Sequence, residues 1–254
     1  MNKQNIVLIG SGNVATHLGS ALKKAKQNII QVYSRNKASA KELAETFHCD
    51  YTNQLNKITH EADVYIVCIK DDVIEDLASH LPLKDKIIVH TSGSMPMHCL
   101  KKSSKNIGVL YPLQTFSKLK KVDFKNVPMC IEANNRSTYT ILEQLAKTIS
   151  KNVLPINSEQ RLNIHIAAVF ACNFTNHMYT IADNILKANK LSLDLIKPLI
   201  TETAEKIKDN APDKMQTGPA IRGDKKTMDR HLKTISTNEY KKLYKLISAD
   251  IQKK

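Results

Sequence analysis

Apolar positions along this chain follow two rhythms. Up to about Asn157 they come in short, unbroken runs: Ile6–Ile9, Asn28–Tyr33, Cys49–Thr52, Ala62–Ile69, Lys86–His90, Asn106–Leu110, Val127–Glu132 and Asn152–Ile156. Runs of this length without polar alternation read as strands buried on both faces of a mainly parallel sheet. Amphipathic stretches separate several of them, at Asn13–Leu22, Ala38–Phe47, Val73–His80 and Arg136–Ser150, with a further helix expected to start near Pro96. Beyond Asn157 only the helical rhythm remains. Ser158–Ala188 reads as one helix capped by Ser158, Leu191–Asn210 as another, and Asn238 onward as a last one, with Thr217–Asp224 a loop by its Gly and Pro content. A helix of ~31 residues would be roughly 46 Å long, more than a small domain spans, so it should pack against a second subunit or several neighbours. The pattern predicts an α/β fold, a mostly parallel sheet domain over residues 1–157 followed by an all-α domain over 158–254.

The first run leads straight into Gly10-Ser11-Gly12 and then into the helix that opens at Asn13. Strand, glycine turn and helix in that order are what a dinucleotide site needs. Gly10 permits the sharp turn, Gly12 lets a diphosphate lie against the backbone, and Ala15 stands at the third position of the G-x-G-x-x-A pattern, where helix and strand must approach. The unpaired N–H groups of the first helical turn, Asn13 and Val14 included, would face that diphosphate. The chain has only 7 glycines in 254 residues, so two of them in one turn is a concentrated signal.

The second strand ends in Ser34-Arg35-Asn36, and no carboxylate follows before Glu42. An NAD site places an acid there for the ribose 2′-hydroxyl, whereas a hydroxyl and a guanidinium suit a 2′-phosphate, so NADP is the expected cofactor. Ligands of open α/β sheets sit beyond the carboxyl ends of the strands. That adds Ile69 and Lys70, Thr91, Ser92 and Gly93, and the segment Tyr111–Phe116. Thr91–Ser94 would equally serve as a hydroxyl-rich helix cap, and Asp72 with Glu75 reads first as a capping pair.

Formal net charge is +14, which raises nucleic acid as a partner. Thirty-three of the 38 basic residues are lysines spread along the chain, and aromatic residues are only 5%, so stacking and bidentate readout are poorly served. A solvated lysine surface that also attracts an anionic cofactor is the better reading. No apolar stretch is long enough to span a membrane. The five cysteines are dispersed, without a CxxC or Cys/His cluster, so neither a metal site nor a disulfide framework is indicated; with a strand near the start and no leader pattern, a reducing cytoplasm is expected.

Four motifs in order, HTSGS (His90–Ser94), YPLQTF (Tyr111–Phe116), R-x3-H-x2-AVFA-x-NF (Arg161–Phe174) and TGPAIRGD (Thr217–Asp224), resemble those of the Rossmann-like proteins with a C-terminal domain of unknown function 2520. That family is similar in layout to pyrroline-5-carboxylate reductase and to the 6-phosphogluconate and β-hydroxyacid dehydrogenases. The resemblance implies an NADP-binding Rossmann domain, a helical domain and a homodimer formed through the helices. Two positions depart from it. Members commonly carry histidine where this chain has Tyr111, and the lysine that β-hydroxyacid dehydrogenases place four residues before a helix asparagine is Val169 here.

Arg161, His165, Asn173 and His177 fall on one side of an ideal helix, within about 160°. His165 is the preferred proton donor, because imidazole switches near cellular pH. Asn173 could bind a carboxamide or a structural carbonyl, and Arg222 could clamp a substrate carboxylate or phosphate or pair with Asp224. The expectation is an NADP-dependent oxidoreductase moving a hydride to or from a C=N or C=O group of a small polar substrate. The alternative is an NADP(H)-binding regulatory module without turnover, with nucleic-acid binding a weaker third reading.

Overall fold

A computed structural model describes residues 3–253. Eight strands form one sheet in the order β3-β2-β1-β4-β5-β6-β7-β8. They are β1 (Asn5–Ile9), β2 (Asn28–Tyr33), β3 (Asp50–Thr52), β4 (Val64–Val67), β5 (Lys84–His90), β6 (Ser104–Pro112), β7 (Met129–Ala133) and β8 (Val153–Pro155). Neighbours are parallel except β6 and β7, which run antiparallel, with Tyr111 opposite Cys130. The order reverses direction at β1, where β2 lies on one side and β4 on the other, and this is the switch point at which such sheets bind ligands.

Helices α1 (Asn13–Lys24), α2 (Lys37–Phe47), α4 (Arg136–Lys147) and α5 (Ser158–Ala168) follow strands of the sheet, as does the shorter α3 (Ile74–His80). β1 shows why its sequence has no polar interruption. Ile6 and Leu8 join one core with Leu18, Leu22 and Phe47, while Val7 and Ile9 join a second core on the opposite face with Ile74 and Ile88. The four apolar β1 side chains, Ile6–Ile9, are fully buried, each contributing roughly 1.5–3 kcal/mol by removal from water. Gly19 lets α1 approach, since a Cβ there would sit 2.6–2.8 Å from Phe47 and Leu8.

Two compact units follow one another along the chain, one up to Val169 and one from Phe170. The second contains α6 (Thr175–Ala188), α7 (Lys197–Asp209), α8 (Lys225–Thr234) and α9 (Asn238–Ile251).

Several local expectations need correction. The 158–188 stretch is helical throughout but not one α-helix: Val169–Phe174 is a π-helical segment between α5 and α6. Hydrogen bonds of the i→i+5 type shift the angular phase, so the 100° spacing that grouped Arg161 and His165 with Asn173 and His177 does not carry across it. Asn157, not Ser158, caps α5, in a capping box with Gln160. The Pro96 region forms only a short 3₁₀ turn, Met97–Leu100. Asp72 makes no cap, and α3 begins behind a 3₁₀ turn, Asp71–Val73. Helix α8 follows the Thr217–Asp224 loop, capped by Asp224, whose side chain accepts from the Thr227 amide at 3.0 Å.

Candidate active site

One cleft of about 790 Å³ opens at the carboxyl ends of β1, β2, β4, β5 and β6, and all its lining residues belong to the first unit. Gly10, Ser11, Gly12, Asn13 and Val14 form one wall, and Ser34, Arg35 and Asn36 stand at the β2 end. Ile69, Lys70, Thr91, Ser92, Gly93 and His165 line it too. Leu55, Asp76 and Leu77, distant in sequence, also reach it. No pattern in the chain pointed to those three, because Leu55 is placed by the turn after β3 and Asp76 and Leu77 by α3 rather than by a motif.

The two glycines of the first turn differ in why they are glycines. Gly10 has φ +122°, and a Cβ there would lie 2.2 Å from the Cys68 carbonyl oxygen. Its own N–H donates to the Tyr33 carbonyl at 2.7 Å. The fold itself therefore demands glycine at 10. Gly12 has an ordinary extended conformation (φ −80°), and a Cβ there would meet no heavy atom within 4 Å. That space is kept clear for something other than protein. Gly12 also leads into α1 with no side-chain cap and no acid in the first turn, so the positive helix end faces the cleft uncompensated. An open approach to bare amides is what a diphosphate requires, and the residues present fit a dinucleotide. At the β2 end, Ser34 Oγ accepts from Ser11 Oγ at 2.9 Å, while the Asn36 side chain is engaged in capping α2 through the Ser39 amide. Arg35 beside them is exposed and lines the same cleft.

The opposite end of the cleft is built on a wired turn. His90, fully buried at the end of β5, accepts from the Ser92 amide through Nδ1 at 3.2 Å. Burial first, and the Arg161 charge second, push its pKa down to about 4, although the Pro96 carbonyl and Asp71 pull the other way. His90 is therefore a neutral acceptor that shapes the turn. Ser92 Oγ accepts from the amides of Ser94 and Met95. The Thr91 hydroxyl donates to the Val67 carbonyl at 3.2 Å, so it supports the β4–β5 junction. The Cys68 thiol beneath Gly10 is pushed up to about 12 by burial and is inert.

Arg161 holds this turn from below. Its side chain is fully buried, donating from Nε to the Ser92 carbonyl (3.2 Å), from Nη2 to the Met95 carbonyl (2.5 Å) and from Nη1 to Glu132 Oε2 (2.5 Å). Glu132 also accepts from Ser158 Oγ at 2.8 Å, so a charge from β7 and the first turn of α5 satisfy the buried guanidinium together. One helical turn further on, His165 lies against Gly93, where a Cβ would stand 2.5 Å from its Nδ1. The Tyr111 hydroxyl lies 3.2 Å from the same Nδ1, with the rings edge-on at 6.2 Å. Tyr111 thus occupies the cleft itself, and the role of its contact with His165 could not be read from spacing, because 54 residues separate the two.

The segment after β6 is pinned to the helix of the glycine turn. Asn13 Nδ2 donates to the Phe116 carbonyl and His17 Nε2 meets the Ser117 carbonyl, both at 2.9 Å, and His17 stacks on Phe116. A second groove, of about 780 Å³, runs along the outer side of α1 and is lined by Lys24, Lys118, Lys121 and Lys125.

The other two predicted catalytic residues belong to the second unit. Asn173 is exposed within the π-helical segment. Arg222 is exposed in the loop before α8, and the hydrogen bonds of Asp224 with Thr227, first of all to its amide, hold that carboxyl below its ordinary range. Among the described residues, no group of three or more His, Cys, Asp or Glu side chains could hold a metal, and no helix is long and apolar enough to cross a membrane.

Comparison with known proteins bears on the family and the fold. Residues 127–251 match the family described as domain of unknown function 2520, and residues 5–93 match the family described as NADP oxidoreductase, coenzyme F420-dependent. A Bacteroides fragilis protein provisionally named an NADP oxidoreductase is 42% identical, with 99% of each chain covered and a TM-score of 0.95. A Thermotoga maritima protein is 26% identical over 98% of this chain and 97% of its own, with a TM-score of 0.70. The 1-pyrroline-5-carboxylate reductase of Streptococcus pyogenes shares the fold, at 15% identity, full coverage of both chains and a TM-score of 0.61. No curated protein sequence matches the chain.

Proposed function

This chain belongs to the domain-of-unknown-function-2520 family of Rossmann-type NADP oxidoreductases, and from that premise we propose that it reduces, or in reverse oxidises, a C=N or C=O group of a small polar substrate. The observation that carries the reading is the pairing of two features in one cleft. A cleared, uncapped helix end stands at one side and a Tyr111–His165 pair at the other. NADPH, when bound, supplies the hydride. The amides from Ser11 to Val14 hold its diphosphate, and Ser34 with Arg35 hold the 2′-phosphate. Thr91–Gly93 shape the end where substrate meets cofactor, with Arg161 fixing the turn through two carbonyls. His165 stands beside that turn as the proton source. The shared fold of a reductase named for a cyclic imine favours C=N as the reacting group.

A small molecule is thus the partner in turnover, and a second copy of the chain the partner in assembly. Among the described residues of the second unit only Ala220 is buried, while Phe170, Leu195, Leu199 and Leu246 are 65–69% exposed. So few buried side chains cannot stabilise four helices, and a homodimer through α6–α9 supplies the missing cover.

The test is a titration followed by a screen. Calorimetry should show NADPH binding with NADH much weaker. A panel of cyclic imines, ketones and aldehydes should then contain compounds that consume NADPH at 340 nm. Well-folded protein giving no heat with either coenzyme would overturn the cofactor assignment, and tight binding without turnover across the panel would overturn the reaction.

A further inference from the structure

We propose that the proton of this reaction leaves from the hydroxyl of Tyr111, with His165 as the reservoir that refills it; the assignment rests on the hydride-transfer reading above. Both side chains line the cleft, and the hydroxyl and Nδ1 are 3.2 Å apart, within range for direct proton exchange. Their surroundings order the pair. Tyr111 is only 9% exposed and sits on β6, locked in the antiparallel ladder opposite Cys130. A donor that must meet a substrate out of contact with water needs that kind of rigid, dry placement. His165 is half-buried on α5, its Nδ1 edge turned to Tyr111 and Gly93. In the relay its other nitrogen, Nε2, exchanges with solvent. Gly93 makes the contact possible, because any side chain there would occupy the position of the imidazole.

The bookkeeping of atoms closes. As the substrate carbon accepts the hydride, its nitrogen or oxygen takes the Tyr111 proton, so one O–H bond breaks and one N–H or O–H bond forms. The phenolate then takes the proton on Nδ1 of His165 as Nε2 accepts one from solvent, and the Nε2–H tautomer left behind returns to the Nδ1–H form by proton exchange with water. The net change is one hydride and one proton added to the double bond.

Three variants of the full chain decide the matter, each checked for folding by thermal melt and for NADPH binding by fluorescence. Tyr111→Phe keeps the ring and loses the proton. Its kcat should fall about 100-fold or more, a general-acid effect, with the KM for NADPH within about twofold and no recovery on adding imidazole. His165→Ala should fall roughly tenfold or more, and added imidazole should restore most of the loss, because a small base in the vacated space can recharge the phenol. His165→Gln should fall likewise without rescue, since its side chain fills that space. Without any cofactor, nitrogen NMR should show the His165 Nδ1 resonance shifting in Tyr111→Phe while those of His17 and His231 stay put. Tyr111→Phe retaining more than a third of wild-type kcat would refute the donor. An unchanged Nδ1 resonance would refute the pair. Wild-type protein that consumes no NADPH with any imine or carbonyl would instead remove the underlying reaction, and the relay with it.

Discussion

The two halves of this protein treat their apolar residues in opposite ways. In the first unit the four apolar side chains of β1 are sealed, and two cores flank the sheet. In the second unit, leucines on α7 and α9 and in the 3₁₀ turn before α7 are two-thirds exposed, and the described helices bury almost nothing. The first half therefore carries its own stability and can hold a precise site. The second carries exposed apolar surface, which the proposed dimer would cover. A buried guanidinium such as Arg161 can be tolerated only where packing over-determines its partners, and it lies in the first half.

The contrast breaks most visibly if the exposed face is spoiled. Leu199→Glu combined with Leu246→Glu should cost association about 4 kcal/mol or more, at hot-spot values of ~2 each. Light scattering should then report half the wild-type mass, with a melting temperature no longer dependent on concentration. A wild-type monomer at micromolar concentration would end the dimer reading.

The next effect lies in the glycine turn. Gly10→Ala forces a Cβ onto the Cys68 backbone at a positive φ, and should cost about 3 kcal/mol or more in denaturant unfolding. Gly12→Ala, two residues away, meets no protein atom. It should leave stability within about 0.5 kcal/mol while weakening NADPH at least roughly tenfold by calorimetry. Equal stability losses in the two variants would contradict the separation of a glycine required by the fold from one required by the ligand.

A slightly smaller effect sharpens the view of the first half as tightly packed. His90 is held neutral, with a pKa of about 4 against an ordinary ~6.5. The unfolded chain thus binds a proton that the folded one refuses between those values. Its contribution to stability is complete above pH ~6.5 and is lost as pH falls toward 4, roughly 3 kcal/mol in all. Urea midpoints measured from pH 7.5 to 4 should show this limb, and His90→Asn, which keeps an acceptor for the Ser92 amide, should flatten it.

Legibility in the sequence followed the range of the interactions involved. The strand, turn and helix at residues 5–24 were readable because each step rests on neighbours: unbroken burial for β1, positive φ for Gly10, bare amides for α1. The Ser34-Arg35 pair was readable for the same reason, as a strand end. The π-helical segment was not, since its sequence, VFACNF, carries no breaker that separates it from an α-helix. Nor was the Asn157 cap distinguished from Ser158 next to it, because both residues cap well and only the contact of Ser158 with Glu132 decides between them.

By itself the sequence determined an α/β sheet domain, a strand–glycine turn–helix unit, NADP as the cofactor and a helical remainder, because periodicity and backbone constraint act within a few residues. Only the tertiary structure decided that Arg161 belongs to the scaffold, that Gly93 yields its space to an imidazole, and that Tyr111 and His165 touch across 54 positions. Those outcomes depend on which strand ends and helix faces converge, and convergence is a property of the packed chain as a whole.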